Sequence, residues 1–164
     1  MSEKNVKATK LTIKLPFGLG TIEFENDEAQ IYAAWSLYVE LSTRISTIPL
    51  ETGTGVLREA LTSLYNMFDI TRKVLRDAGP EIAKGPNSLG VIAIDVLNMG
   101  LRPFLVKWHP LLKDYEETRT KKLTTLQHEQ KWEYADKFRE ELEEVRQQMV
   151  IYVVALAKIA GIEE

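Results

Sequence analysis

At 164 residues, with 45% hydrophobic and 27% charged side chains, the chain has the size and balance of one ordinary globular domain, which argues against disorder and for a core without staples. The complete lack of cysteine excludes disulfides, thiolate nucleophiles and cysteine zinc sites, and only His109 and His128 remain as imidazole ligands, so neither a metal nor a cofactor is expected. A net charge of −3 provides no global field to draw nucleic acid, which is therefore a disfavoured partner.

The opening MSEKNVKATK is polar and leads into no hydrophobic signal core, so a cytoplasmic location is expected. In KLTIKLPFGLGTIEFE, residues 10–25, Leu11, Ile13 and Leu15 alternate with polar residues, and Ile22 and Phe24 do the same beyond a Pro/Gly loop. Period two on both sides of a turn predicts a β-hairpin, and two strands alone are marginal in water, so the hairpin must pack on helices or pair with another chain. Its tip, PFGLG, carries Phe17 and Leu19, which are expected to fold back onto the bundle.

Asp27 with Gln30 three residues later predicts a capped helix start, and Ile31, Ala34, Trp35, Tyr38, Leu41, Ile45 and Ile48 carry that helix toward Pro49. GTGV places an N-cap at Thr54, since the two glycines lack the lysine of a phosphate-binding loop. A second helix follows on Leu57, Ala60, Leu61, Leu64, Phe68 and Leu75 and stops at Gly79-Pro80. The third, LGVIAIDVLNMGLRPFLVKWH, is apolar on most of its circumference, with Gly100 and Pro103 predicting a kink or restart near 99–102. After a polar connection over about 113–125, Tyr134, Phe138, Leu142, Val145, Met149, Tyr152, Leu156 and Ile159 trace a heptad-like seam on a long fourth helix. Its charged start, EQKWEYADKFREELEEVRQQ, is expected to extend beyond the others. The apolar run 149–157 is too short for the roughly 20 residues of a bilayer span, so no membrane partner is expected.

The resulting fold is mainly α: an N-terminal β-hairpin (10–25) packed on an irregular four-helix bundle (27–160) with a long C-terminal helix, within a single domain, 1–164. Trp35, Trp108 and Trp132 are expected as core or interface anchors.

Two polar stripes stand out. On the third helix Ser88, Asp95, Asn98, Arg102 and His109 fall within about 80° if the helix is continuous. A stripe so narrow points to a cleft, a partner or an internal network, with an acid, phosphate or carbonyl opposite Arg102; Asp95 is a candidate counter-charge and Asn98 a candidate orienting group. On the second helix Arg58, Tyr65, Asp69, Arg72 and Arg76 align within about 60°, ordinarily a solvated face. If the stripes meet, Arg72, Arg102 and His109 together suit an anionic ligand.

Arg102 and His109, separated by PFLVKW, loosely resemble the arginine, short gap, histidine pattern of the HEPN helical ribonucleases. That resemblance implies RNA cleavage at a dimer interface, with His109 in acid/base chemistry and Arg102 on phosphate. It rests on two residues, and Pro103 stands where the family has a small polar residue, with a second proline, Pro110, after the histidine.

No catalytic triad, paired catalytic acids, dinucleotide fingerprint or zinc pattern is present, so an enzyme is the less favoured class. The leading expectation is an interaction or regulatory protein that self-associates as a homodimer or higher homo-oligomer through the long helix and hairpin edge, with a protein partner also open. The alternative is a sensor holding an anionic small molecule or nucleotide through Asp95, Asn98, Arg102, His109 and Arg72. A ribonuclease using Arg102 and His109 is the third reading.

Overall fold

The computed structural model describes residues 10–25, 27–44, 50–51 and 53–162; Ile45, Ile48 and Pro49, assigned to the first predicted helix, lie outside them. Two antiparallel strands, β1 (Lys10–Lys14) and β2 (Thr21–Glu25), pair in a register that sets Ile13 opposite Ile22 and Leu11 opposite Phe24. Alternation buries Ile13 and Phe24 and leaves Lys10, Thr12, Lys14, Thr21, Glu23 and Glu25 outward. The helices are α1 (Glu28–Ser42), α2 (Leu57–Ala78), α3 (Leu89–Asp95), α4 (Arg102–Glu116), α5 (Thr125–Gln130) and α6 (Ala135–Ala160). The protein is thus mainly α, with the hairpin at one end of the sequence and a long helix at the other.

Helix α1 begins as Asp27 accepts a hydrogen bond from the Gln30 backbone N–H (2.9 Å). The reciprocal half of the box is absent, because the buried Gln30 side chain is used elsewhere: Nε2 donates to Glu25 O and Asp27 Oδ2, and Oε1 accepts from Leu89 N–H (3.0 Å). One glutamine thereby joins the hairpin's end to the start of α3. The helix closes at Ser42, short of the expected proline. Helix α2 ends as read, at Gly79 (φ 83°) followed by Pro80.

Thr54 is not the cap of α2. The cap position falls on Val56, which has no acceptor, and the first-turn donors are met by a carboxylate from far along the chain: Glu129 of α5 accepts from Leu57 N–H (2.7 Å) and Arg58 N–H (3.1 Å). Helix α5 itself lies within the stretch read as the end of a connection and the start of the long helix, and it opens with a reciprocal capping box between Thr124 and Gln127. The charged start of the long helix does not project freely either, since Trp132 and Ala135 are buried.

Between α3 and α4 the expected break takes the form of a π turn, Val96–Leu101, so that residues 89–116 run as one helical rod. Pro103, which brings no N–H, follows directly on that turn, where the α-helical hydrogen-bond ladder is already interrupted. Phe17, at the hairpin tip with φ +56°, lays its ring on Gly100, and its N–H donates to Gln148 Oε1 (2.7 Å). The rod is the one helix among the described residues long and apolar enough to cross a membrane by length and composition, and just over half of its apolar window is buried against the rest of the chain.

The core is one contiguous cluster. Phe138, Leu142, Val145, Met149, Tyr152, Leu156 and Ile159 of α6 all lie inside it, packed mainly against α1 and β1. The heptad-like seam is therefore occupied within the chain. An aromatic group formed by Phe104, Trp108, Trp132 and Phe138 closes the other end, and Trp108 Nε1 donates to Glu141 Oε2 (2.6 Å). Glu141 also accepts from Lys107 Nζ, which holds its carboxyl below the usual range. Trp35, by contrast, is about half exposed.

Candidate functional site

The π turn decides which polar residues share a face. An i→i+5 turn holds one residue more than an α turn, so everything after it lags by roughly 100° relative to a continuous α-helix. Asn98, inside the turn, still reaches Arg102: its Oδ1 accepts from Nε (3.2 Å) and Nη2 (3.1 Å). Asp95, before the turn, drops out of the stripe and makes no ion pair among the described residues, so it does not balance Arg102. Ser88 is farther still, at the N-cap of α3, where its hydroxyl donates to Gly85 O (2.7 Å).

The other half of the expected arrangement is present. The face of α2 that carries Tyr65 and Arg72 looks across at α4, and between them lies a cleft of about 230 Å³ lined by Tyr65, Phe68, Arg72, Arg102, Val106 and His109, among others. Phe68 forms its floor. The Arg102 guanidinium lies 4.9 Å from the centre of that ring and the Arg72 guanidinium 5.8 Å. His109 stacks near-parallel on Tyr65, with ring centres 6.4 Å apart. At the far end of the α2 stripe, Arg58 is committed to Glu116 in a forked ion pair.

Arg102 is exposed rather than buried, and what faces it is a carboxamide and a π face instead of an acid. Asn98 and Phe68 fix the plane of the guanidinium without cancelling its charge. Arg72 is partly compensated, donating to Asp69 Oδ1 at 2.8 Å. The cleft thus offers two guanidinium edges, one of them engaged with Asp69, and two stacked rings. A charged or planar acceptor group fits this chemistry, because a guanidinium fork matches carboxylate and phosphate geometry.

Among the five proposed ligand-binding residues, Arg72, Arg102 and His109 line one cleft, Asn98 supports it from behind, and Asp95 lies outside. Phe68 was missed as a site residue because it reads as a core position of α2. Its spacing held the signal: it is three residues after Tyr65 and four before Arg72, on the same helical face.

No protein-family model matches the sequence, and no curated protein or solved structure matches it. Arg102 and His109, which carry the ribonuclease resemblance, do line the same cleft, with the imidazole stacked on Tyr65.

Proposed function

We propose that the protein binds a small anionic molecule in the α2–α4 cleft and acts as a sensor of it. The observation that carries this reading is Arg102, an exposed guanidinium without an acidic partner among the described residues, oriented by Asn98 and Phe68 beside a second arginine. Ligand pockets for drug-sized molecules span about 300–1,000 Å³. A cleft of about 230 Å³ suits a compact anion, or the phosphate end of a nucleotide with the remainder in solvent.

Adenosine monophosphate and inorganic phosphate, titrated at low salt and followed by calorimetry, test the reading. Saturable binding that weakens with ionic strength is expected. Arg102→Ala should lower affinity about ten- to hundredfold, the size of one charge-assisted hydrogen bond of about 1.5–3 kcal/mol. Because Arg102 is exposed, the variant's melting temperature without ligand should stay near that of the parent. Binding unchanged by Arg102→Ala would sink the proposal.

Self-association is supported by a different surface from the one the sequence suggested. Tyr32, Trp35 and Val39 expose 69%, 48% and 41% of their area along α1, and with Ile70 and Val74 of α2 they line a groove of about 370 Å³. Ser36, Glu40, Lys73 and Asp77 line the same groove, so the exposed aromatic stripe has the polar rim of a helical interface. Light scattering at high micromolar concentration should show a dimer that Trp35→Lys disperses, and a strict monomer would remove this second reading.

A further inference from the structure

The two edges of the hairpin are treated differently. Leu15 N–H bonds to Gly20 O (2.8 Å), which fixes Ile13/Ile22 and Leu11/Phe24 as the hydrogen-bonded pairs of the ladder. The backbone groups of Thr12 on β1, and of Thr21 and Glu23 on β2, therefore point away from the hairpin. On the β1 side the edge is covered: α6 packs against it, and Lys158 Nζ donates to Thr12 O at 2.6 Å. On the β2 side Glu25 O accepts from Gln30 Nε2, but the outward N–H and C=O of Thr21 and Glu23 meet no partner among the described residues. An open strand edge is a template for another strand.

We infer that the β2 edge takes up an extended, cationic segment of a partner protein as a third strand. The edge carries the inference, and charge selects the occupant. Alongside β2 runs a depression of about 450 Å³ whose walls include Glu23, Glu25 and Asp27 on one side and Glu81 and Lys84 on the other. Its single ammonium, Lys84, is paired with Glu81 at 2.8 Å, Glu25 lies 3.9 Å from Lys10 Nζ and Asp27 accepts from Gln30, which leaves Glu23 as the carboxylate of this wall with no ion pair or hydrogen bond among the described residues. A segment with lysine or arginine at alternate positions would lay its main chain on Thr21 and Glu23 and place its cations among these carboxylates, the strand-addition mode of peptide recognition. A second copy of β2 is the wrong occupant. Its outward side chains are Thr21, Glu23 and Glu25, so it brings no cation to the acidic wall, and antiparallel pairing centred on Glu23 would also set that residue opposite its own equivalent, which is destabilising.

The inference is independent of the α2–α4 cleft. Its test uses a fluorescently labelled peptide alternating Lys and Val, a Glu/Val counterpart, and the Lys/Val peptide N-methylated at every residue, each titrated against the full chain. Saturable binding of the first, at least about tenfold tighter than either control, is expected, since methylation keeps the charge and removes the strand donors. Glu23→Lys with Glu25→Lys should weaken it about tenfold. Glu23→Pro, which deletes an outward N–H and none of the hairpin's own, should do so too while circular dichroism stays unchanged. Equal binding of the methylated peptide would reduce the effect to charge alone and overturn the inference. So would absence of saturable binding, or a homodimer abolished by Glu23→Pro, which would give the edge to a second copy.

Discussion

Glu129→Ala is expected to destabilise the protein by about 2–4 kcal/mol, because it strips the acceptor from two adjacent first-turn donors, each unsatisfied buried group costing about 1–3 kcal/mol. For a chain of this size that corresponds to a drop in melting temperature of roughly 5–15 °C. Glu129 is 2% exposed, and Leu57, whose N–H it accepts, is fully buried, so water cannot replace the carboxylate. Burial raises the Glu129 carboxyl above its ordinary value of 4.5, against the lowering effect of its bonds to Leu57 and Arg58. A carboxyl raised by folding favours the folded state when protonated. That contribution is complete below the unfolded value and is lost as pH rises through the folded one. Glu129→Gln keeps an acceptor and removes the charge, so it should cost less than Glu129→Ala and flatten the decline in stability as pH climbs from about 4.5. Thermal melts of the three proteins across pH 4–7 check both statements, and a glutamine variant as unstable as the alanine one would show that the charge itself is required.

Glu129 also shows why parts of the fold were hidden in the sequence. The elements were legible wherever a periodic pattern met a breaker: the period-two hairpin around its Pro/Gly turn, α2 against Gly79-Pro80, and the seam of α6. Helix α5 was not, because it is six residues long and shows no full turn of periodicity, although Thr124 and Gln127 spell its capping box. A cap supplied from 72 residues along the chain, as where the Glu129 carboxylate accepts from Leu57 N–H, leaves no local mark at all. The long helix was read correctly as an amphipathic seam, but a seam does not say whether it closes within one chain or between two; α1 and β1 fill it here.

The site was legible in part for a related reason. Helical wheels aligned Arg72 with Tyr65 and Arg102 with His109, and both alignments survive in the cleft. They survive because each pair lies on one uninterrupted stretch of α-helix, α2 or α4. Asp95 was misplaced because a wheel assumes constant rotation, and the π turn inserts its lag between Asp95 and Arg102. The sequence did signal an irregularity, through Gly100 and Pro103. Its packing depends on Phe17, whose ring lies on Gly100 from more than eighty positions away and which no local pattern connects to the rod.

That dependence makes Gly100→Val the second large effect. A Cβ at position 100 would stand 2.5 Å from Phe17 Cδ2 and 2.6 Å from Cε2, closer than carbon atoms approach, and valine adds two further methyl groups in the same space. Overpacking of this kind costs about 1–3 kcal/mol and occasionally more. The half-buried ring can turn only by leaving its place on Gly100 for the open cleft beside it. Its backbone is held in the left-handed region at φ +56° by the Gln148 hydrogen bond, a conformation that costs about 1–3 kcal/mol for a side-chain-bearing residue and persists only while its surroundings impose it. Relief therefore comes from displacing the ring from Gly100, from lifting the hairpin tip or from shifting the π turn, and each loses the packing of Phe17 on the rod. Phe17→Ala alone should also destabilise, through lost packing, yet in combination with Gly100→Val it opens the room that valine needs. The double variant is expected to be more stable than the sum of the single effects predicts, with a coupling of about 0.5–3 kcal/mol in a thermodynamic cycle from urea melts. Additive effects would mean that Phe17 and Gly100 do not set each other's positions. Because Asn98 lies in the same turn and orients Arg102, Gly100→Val should also weaken phosphate binding in the cleft, and the rescuing Phe17→Ala should restore it only as far as it restores hydrogen-exchange protection across residues 96–101.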